Sequence, residues 1–351
     1  MSETERSRNW VIRTLIVDDS AFVRKVVREM LVRSPFIEIV GMARDGEEAL
    51  QMTAELKPDV VTCDLTMPRM GGVDFVREQM ARAPLPILIL SASPADGESV
   101  LEAIAAGAVD FVRKPTARAT EDLLKVREEL TEKIKGAARA PVKNLHVAVP
   151  LHAPKIEAPK NLRFEVAVLG ISTGGPQALR YLVPQLPADF PVPLLIVLHM
   201  PPGYTALFSA KLAELSKIRV REAQDGAVLE AGTAIVAQAG RHLVLRKNAA
   251  GQTQMRLSTT PTDKPHRPSV DVLFRSAAEI YKARTLAIVM TGMGDDGKEG
   301  AAWVKAQGGK VITEAEESCV IYGMPRSVVE AGLSDVSTPL SAMAETIMRN
   351  L

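Results

Sequence analysis

Cysteine is close to absent from this chain: Cys63 and Cys319 are its only two among 351 residues. That excludes a small secreted scaffold held by a framework of disulfides. An excess of one charge is missing as well, since 43 Lys and Arg stand against 42 Asp and Glu, a formal net charge of +1. A nucleic-acid binder would carry a clustered basic excess, so no nucleic-acid partner is expected. Aromatic residues make up 4% while hydrophobic residues reach 46%, the composition of a globular protein built on aliphatic cores. Long apolar runs are lacking too, because stretches such as Pro193 to Leu198 fall far short of the ~20 residues that cross a bilayer. No membrane insertion is expected. The opening MSETERSRNW is charged and polar where a secretory signal needs an apolar stretch, which makes a cytoplasmic location the expectation.

What the chain does contain is a βα rhythm. A length of 351 residues suits two domains. From Val11 onward short apolar runs alternate with turns and with stretches of helical spacing: Thr14 to Val17, Ile37 to Val40, Val60 to Cys63, Ile87 to Leu90 and Ala108 to Val112. Their continuous apolar character predicts strands covered on both faces. A helical stretch from Glu121 to Lys135 closes this unit. Then come Pro141, Pro150, Pro154 and Pro159, too closely spaced for a helix or a central strand. A second βα series starts at Phe164 to Leu169 and continues through Leu194 to Leu198, Thr233 to Val236 and Leu286 to Met290. The expected fold is α/β throughout: a doubly wound five-stranded parallel domain over 11–136, a Pro-rich linker over 137–162, and a doubly wound, Rossmann-like α/β domain over 163–351.

In the first unit, Asp18 and Asp19 follow the first strand, Asp64 ends the third, and Ser91 and Lys114 stand at the ends of the fourth and fifth. All five would meet at one sheet edge. Three carboxylates so close repel one another unless a hard cation sits among them, and Mg²⁺ favours such oxygen ligands. Asp64 could then attack a phosphoryl group, with Ser91 and Lys114 holding its remaining oxygens. This set, together with Lys114-Pro115 and Phe111 three residues before the lysine, resembles the response-regulator receiver family across 13–135. The resemblance implies that Asp64 is the phosphoacceptor, that Asp18, Asp19 and Asp64 hold Mg²⁺, and that Ser91 and Phe111 form a switch. It also implies a histidine kinase as phosphodonor. On its own, Phe111 in an apolar run reads as a core residue. Gly71 departs from the Asp that such receivers commonly carry.

In the second unit, Gly170-Ile171-Ser172-Thr173-Gly174 follows a strand directly and fits the G-x-S-x-G pattern of a nucleophile on a sharp strand-to-helix turn. A dinucleotide loop is the rival reading. Ser172, however, takes the place of the central glycine of that fingerprint, and no acidic residue ends a second strand about 20 residues on. A serine hydroxyl needs a base, and His199 is the one histidine at a strand end in this unit. His146 and His152 lie in the linker, while His242 and His266 sit in polar, turn-rich stretches. The imidazole needs a carboxylate in turn, and Asp295 and Asp296 both follow the strand Leu286 to Met290.

From Phe164 onward the chain resembles the catalytic domain of the chemotaxis protein-glutamate methylesterase (CheB) family. The likeness runs through Gly170 to Gly175, His199-Met200-Pro201-Pro202-Gly203-Tyr204-Thr205, Thr291-Gly292-Met293-Gly294-Asp295-Asp296-Gly297 and Tyr322-Gly323-Met324-Pro325. It places the acid on Asp296 rather than Asp295, and Thr173 and Met293 at the oxyanion hole. It implies hydrolysis of glutamate γ-methyl esters on methyl-accepting chemoreceptors, with glutamine deamidation as a second activity and no cofactor at the hydrolase site. The segment Lys264 to Phe274 matches the family where it borders the cleft, and reads locally as a Pro-rich loop entering a helix capped by Ser269. Glu314 stands where relatives usually carry Gln. Two rival functions are disfavoured: an intact triad argues against a non-catalytic adaptor, and the lack of a basic helix-turn-helix argues against DNA binding.

Overall fold

A computed structural model describes residues 11–114, 120–141 and 162–351, which fall into two compact units, the first within 1–146 and the second within 147–351. Pro115, most of the expected linker, and His146 and His152 lie outside the described residues.

The first unit carries β1 (Ile12–Val17), β2 (Ile37–Ala43), β3 (Val60–Asp64), β4 (Ile87–Ser91) and β5 (Asp110–Arg113), interleaved with α1 (Ala21–Leu31), α2 (Gly46–Leu56), α3 (Gly72–Arg82), α4 (Gly97–Ala106) and α5 (Thr120–Ala137). The sheet is parallel with order β2-β1-β3-β4-β5. β3 and β4 are buried at every position, as strands sandwiched between two helix layers must be. The apolar run at Ala108 enters the sheet only at Asp110, because Gly107, with φ 121°, ends α4 and Ala108 still bonds back to it. The chain leaves β1 first to one side and then to the other, so a crevice opens beyond the carboxyl ends of β1 and β3, which is where open α/β sheets place their sites.

The second unit repeats the logic with seven strands. These are β6 (Val166–Ile171), β7 (Leu194–Leu198), β8 (Arg219–Glu222), β9 (Thr233–Val236), β12 (Thr285–Val289), β13 (Lys310–Glu314) and β14 (Val336–Thr338). Their order is β14-β13-β12-β6-β7-β9-β8, and all pairs are parallel. A separate antiparallel hairpin, β10 (His242–Lys247) and β11 (Thr253–Ser258), packs onto the same core through Leu243, Leu245 and Met255. The helices are α6 (Gly175–Leu182), α7 (Thr205–Leu215), α8 (Val270–Tyr281), α9 (Lys298–Ala306), α10 (Met324–Glu330) and α11 (Leu340–Asn350). β6 is flanked by β7 on one side and β12 on the other, so the switch point of this sheet lies at its carboxyl end.

Candidate active and phosphoacceptor sites

The acidic cluster of the first unit forms as the strand order requires. Asp18, Asp19 and Asp64 each offer a carboxylate oxygen within 4.8 Å of the others. Lys114 Nζ lies 2.8 Å from Asp18 Oδ2 and 2.8 Å from Asp64 Oδ2, so an ammonium bridges two of the three carboxylates. Asp64 Oδ1 accepts the N–H of Leu65 at 2.7 Å. Burial pushes the Asp64 carboxyl above its ordinary range despite Lys114. Burial also works against the Lys114 ammonium, but the hydrogen bonds and charges of Asp18 and Asp64 more than restore it. An oxygen-only set of this kind fits a hard divalent cation.

The other residues expected around that cluster occupy two kinds of place. Ser91 follows Leu90, the register partner of Asp64, but its hydroxyl donates to the Ser93 carbonyl at 3.2 Å and to Asp96 Oδ2 at 3.2 Å. Phe111 is 1% exposed in the core, with Lys133 Nζ 5.9 Å from its ring centre. Gly71 is the N-cap of α3 and offers no side-chain acceptor to that helix.

In the second unit Ser172 is the first residue beyond β6 and His199 the first beyond β7, and their predecessors Ile171 and Leu198 are register partners. The His199 N–H donates to the Ile171 carbonyl at 3.1 Å. On the other side of β6, the Ser172 N–H donates to the Thr291 carbonyl at 3.0 Å, just past β12. Ser172 and His199 thus sit side by side at the switch point, 9% exposed at Ser172. Gly292 is needed where it stands, because an added Cβ would lie 2.8 Å from the Ser172 Cβ. Gly174, at φ 79°, turns the chain into α6. The N–H groups of Thr173 and Met293 donate to no protein acceptor among the described residues.

Asp296 meets the histidine, and Asp295 does not. His199 Nε2 lies 2.9 Å from Asp296 Oδ2, whereas the Asp295 side chain is 74% exposed and 3.6 Å from Lys298 Nζ. A carboxylate can only accept, so Nε2 carries the proton and Nδ1 keeps its lone pair. Nδ1 is buried and has no hydrogen-bond partner among the described residues. Asp296 also accepts three further bonds at the start of α8: the Ser269 hydroxyl at 2.8 Å, the Val270 N–H at 2.8 Å and the Asp271 N–H at 3.0 Å. Burial alone would raise this carboxyl, but the bond and charge of His199 and the two helix N–H groups outweigh it and hold it well below the ordinary range.

This arrangement corrects the local reading of Ser269. It stands at the N-cap position of α8 but makes no side-chain bond to its own helix, because its hydroxyl is spent on Asp296. The partner relation is reciprocal. Asp271 Oδ1 accepts the N–H groups of Gly297 at 2.9 Å and Gly300 at 2.8 Å at the start of α9, so each helix entrance is capped by an aspartate belonging to the other. Residue-by-residue reasoning on the sequence does not find Asp271, nor His242, whose Nδ1 accepts the Ser269 N–H at 3.2 Å while Nε2 donates to the Pro261 carbonyl at 3.0 Å. It also misses that His266 stacks on His199, with ring centres 4.1 Å apart. The one available signal is the single segment Lys264 to Asp271, which supplies all but one of these groups.

Two parallel α/β units, one with an aspartate and lysine pocket and one with a serine, histidine and aspartate at a sheet switch point, define a response regulator with an α/β output domain. Residues 14–126 match the response regulator receiver domain and residues 167–347 match the CheB methylesterase domain. The chain belongs to the CheB methylesterase family. It is 44% identical to the Myxococcus xanthus protein-glutamate methylesterase/protein-glutamine glutaminase 5, over 97% of this chain and 98% of that one. A Halalkalibacterium halodurans protein-glutamate methylesterase/protein-glutamine glutaminase is 41% identical over 96% and 98%. The crystal structure of the Thermotoga maritima CheB methylesterase catalytic domain matches with a TM-score of 0.52 and 40% identity, over 54% of this chain and 99% of that one. Among the described residues, no helix is long and apolar enough to cross a membrane.

Proposed function

We propose that this chain hydrolyses glutamate γ-methyl esters on methyl-accepting chemoreceptors in the cytoplasm, under the control of phosphorylation at Asp64. The observation that carries the hydrolytic part is the histidine: Nε2 on Asp296, Nδ1 buried with its lone pair unused, and Ser172 at the neighbouring strand end. Ser172 Oγ attacks the ester carbonyl while its proton passes to His199 Nδ1. Asp296 stabilises the imidazolium that forms, and the N–H groups of Thr173 and Met293 receive the oxyanion. Nδ1 returns the proton to the departing methoxide, releasing methanol and leaving an acyl ester on Ser172. Water then attacks, again with Nδ1 as base, and frees the glutamate. The same route with ammonia as leaving group gives glutamine deamidation, which matches the double name of the relatives.

In the receiver, Asp64 is the nucleophile toward phosphorus, with a histidine kinase as donor. Asp18, Asp19 and Asp64 would hold Mg²⁺, which supplies charge neutralisation for the incoming phosphoryl group. Lys114, already within 2.8 Å of Asp64, contacts a phosphoryl oxygen. Ser91 exchanges its bond to Asp96 for another, and Phe111 repacks, which is the switch. Methanol release from methylated receptor, with and without a small-molecule phosphodonor, tests the whole reading. Release that persists in Ser172→Ala would overturn the hydrolytic half.

A further inference from the structure

Glu314 is the last residue of β13, 0% exposed, and takes no part in the chemistry described above. Its Oε2 accepts the N–H of Thr291 at 2.9 Å and its Oε1 accepts the Ser318 hydroxyl at 2.9 Å. Thr291 is the residue on which the nucleophile turn hangs. Its carbonyl accepts the Ser172 N–H, its hydroxyl donates to the Thr173 carbonyl at 3.0 Å, and the same hydroxyl accepts the Ile321 N–H at 3.0 Å. Gly292 and Met293 follow it directly. A single buried carboxyl therefore anchors the backbone that sets both the serine and the oxyanion-binding loop.

We propose that Glu314 is a positioning residue whose ionisation tightens the Thr291 anchor and so adds a second proton-dependent step to hydrolysis, separate from that of His199. This rests on the Ser172 mechanism proposed above. When Glu314 is ionised, the Thr291 bond is charge-assisted and roughly twice as strong as with a neutral acceptor. When it is protonated, the proton sits on Oε1 and is donated to Ser318 Oγ. That oxygen can accept it because the Ser318 hydroxyl has the Ala315 carbonyl as an alternative acceptor at 3.2 Å. Oε2 then holds Thr291 only as a neutral acyl oxygen. The groups facing Glu314 leave the choice to pH. They are Thr291 at the end of β12, Ser318 and Cys319 on the turn after β13, with Glu316 beyond them, and the start of α11, where the Leu340 N–H donates to Ser318 Oγ at 2.9 Å. Burial pushes the Cys319 thiol far above its ordinary range, so it stays neutral. Among the described residues no basic side chain pairs with Glu314, and burial, only partly offset by Thr291 and Ser318, pushes its carboxyl up to about 7.

The experiment is the pH dependence of kcat/KM for methanol release by the full chain, in wild type, E314Q and S318A. Glutamine keeps the shape and can accept from Thr291 while donating to Ser318, but it cannot ionise. The ratio of wild type to E314Q should be near unity at low pH and rise about five-fold through a midpoint near 7, the difference between a charged and a neutral acceptor. S318A removes one donor to the ionised carboxylate and should move the wild-type midpoint upward, a result that does not depend on how well E314Q folds. A ratio that stays flat or falls with rising pH, or an S318A midpoint at or below that of wild type, would overturn the proposal. Activity surviving in Ser172→Ala would instead sink the triad, whatever the ratio does.

Discussion

Asp64 and Asp296 occupy the same kind of place, at or just past the carboxyl end of a parallel strand beside a sheet switch point, and they are bonded in opposite ways. Asp296 receives four bonds, from His199, Ser269, Val270 and Asp271, and is held strongly acidic. Among the described residues Asp64 receives the Leu65 N–H and the Lys114 ammonium alone, shares that ammonium with Asp18, and is pushed up by burial. A carboxylate with its lone pairs occupied can orient a neighbour but has nothing left to attack with. One left under-satisfied can take a metal and a phosphoryl group. The number of donors, more than residue type or strand position, separates the two carboxylates, and it suits Asp296 to the orienting role and Asp64 to the nucleophilic role proposed for them.

The sharpest way to break this comparison lies beside Asp296. Ser172→Ala and His199→Ala should each lower methanol release by ~10⁴-fold or more, nearly equally because they act as one unit. A much smaller loss in His199→Ala would mean that the carboxylate orients the wrong residue. Asp296→Asn should follow at roughly 10²- to 10⁴-fold, since an amide cannot fix the Nδ1 lone pair, while Asp295→Asn should change turnover by less than about two-fold.

Asp64→Asn should abolish incorporation of label from a small-molecule phosphodonor and any stimulation of hydrolysis, leaving basal hydrolysis in place. The two aspartates should also differ in stability. Thermal melts near pH 7 should show Asp296→Asn destabilised by about 1–3 kcal/mol, because two inward-pointing N–H donors lose a charged acceptor. Asp64→Asn should be neutral or stabilising there. The sign follows from linkage. The depressed carboxyl of Asp296 contributes stability that is present above its unfolded value and lost as pH falls through the folded one. The raised carboxyl of Asp64 makes the folded state less favourable as pH climbs from its unfolded value through its folded one. Among the groups that bond Asp296 the smallest effect belongs to Ser269→Ala, which removes one of four bonds and should cost turnover about five- to ten-fold. An unchanged rate would show that the remaining three donors suffice.

Much of the fold, and the meeting of residues at both candidate sites, is legible in the amino-acid sequence. The continuous apolar runs that lead into Asp64, Ser172 and His199 report both strands and strand ends, because parallel strands buried on two faces leave little room for other patterns. The β10 and β11 hairpin, β8, β13 and β14 carry no comparable signal. β8 is half-exposed, β14 is three residues long, and β13 carries a glutamate at its end. The crossed capping between α8 and α9 is also hidden. Ser269 before a helix satisfies every local rule for an N-cap, and only the meeting of segments 27 residues apart gives its hydroxyl a better acceptor. Glu314 is visible only as an oddity, since nothing local says that a strand-terminal glutamate will lie against the backbone of the residue that holds Ser172.

The most direct test of the account is methanol release from methylated receptor by full-length protein, followed with and without phosphodonor in wild type, Ser172→Ala and Asp64→Asn. The account predicts stimulated release in wild type, none in Ser172→Ala under either condition, and unstimulated but persistent release in Asp64→Asn. Stimulation retained in Asp64→Asn, or release retained in Ser172→Ala, would contradict the division of labour between the two sites.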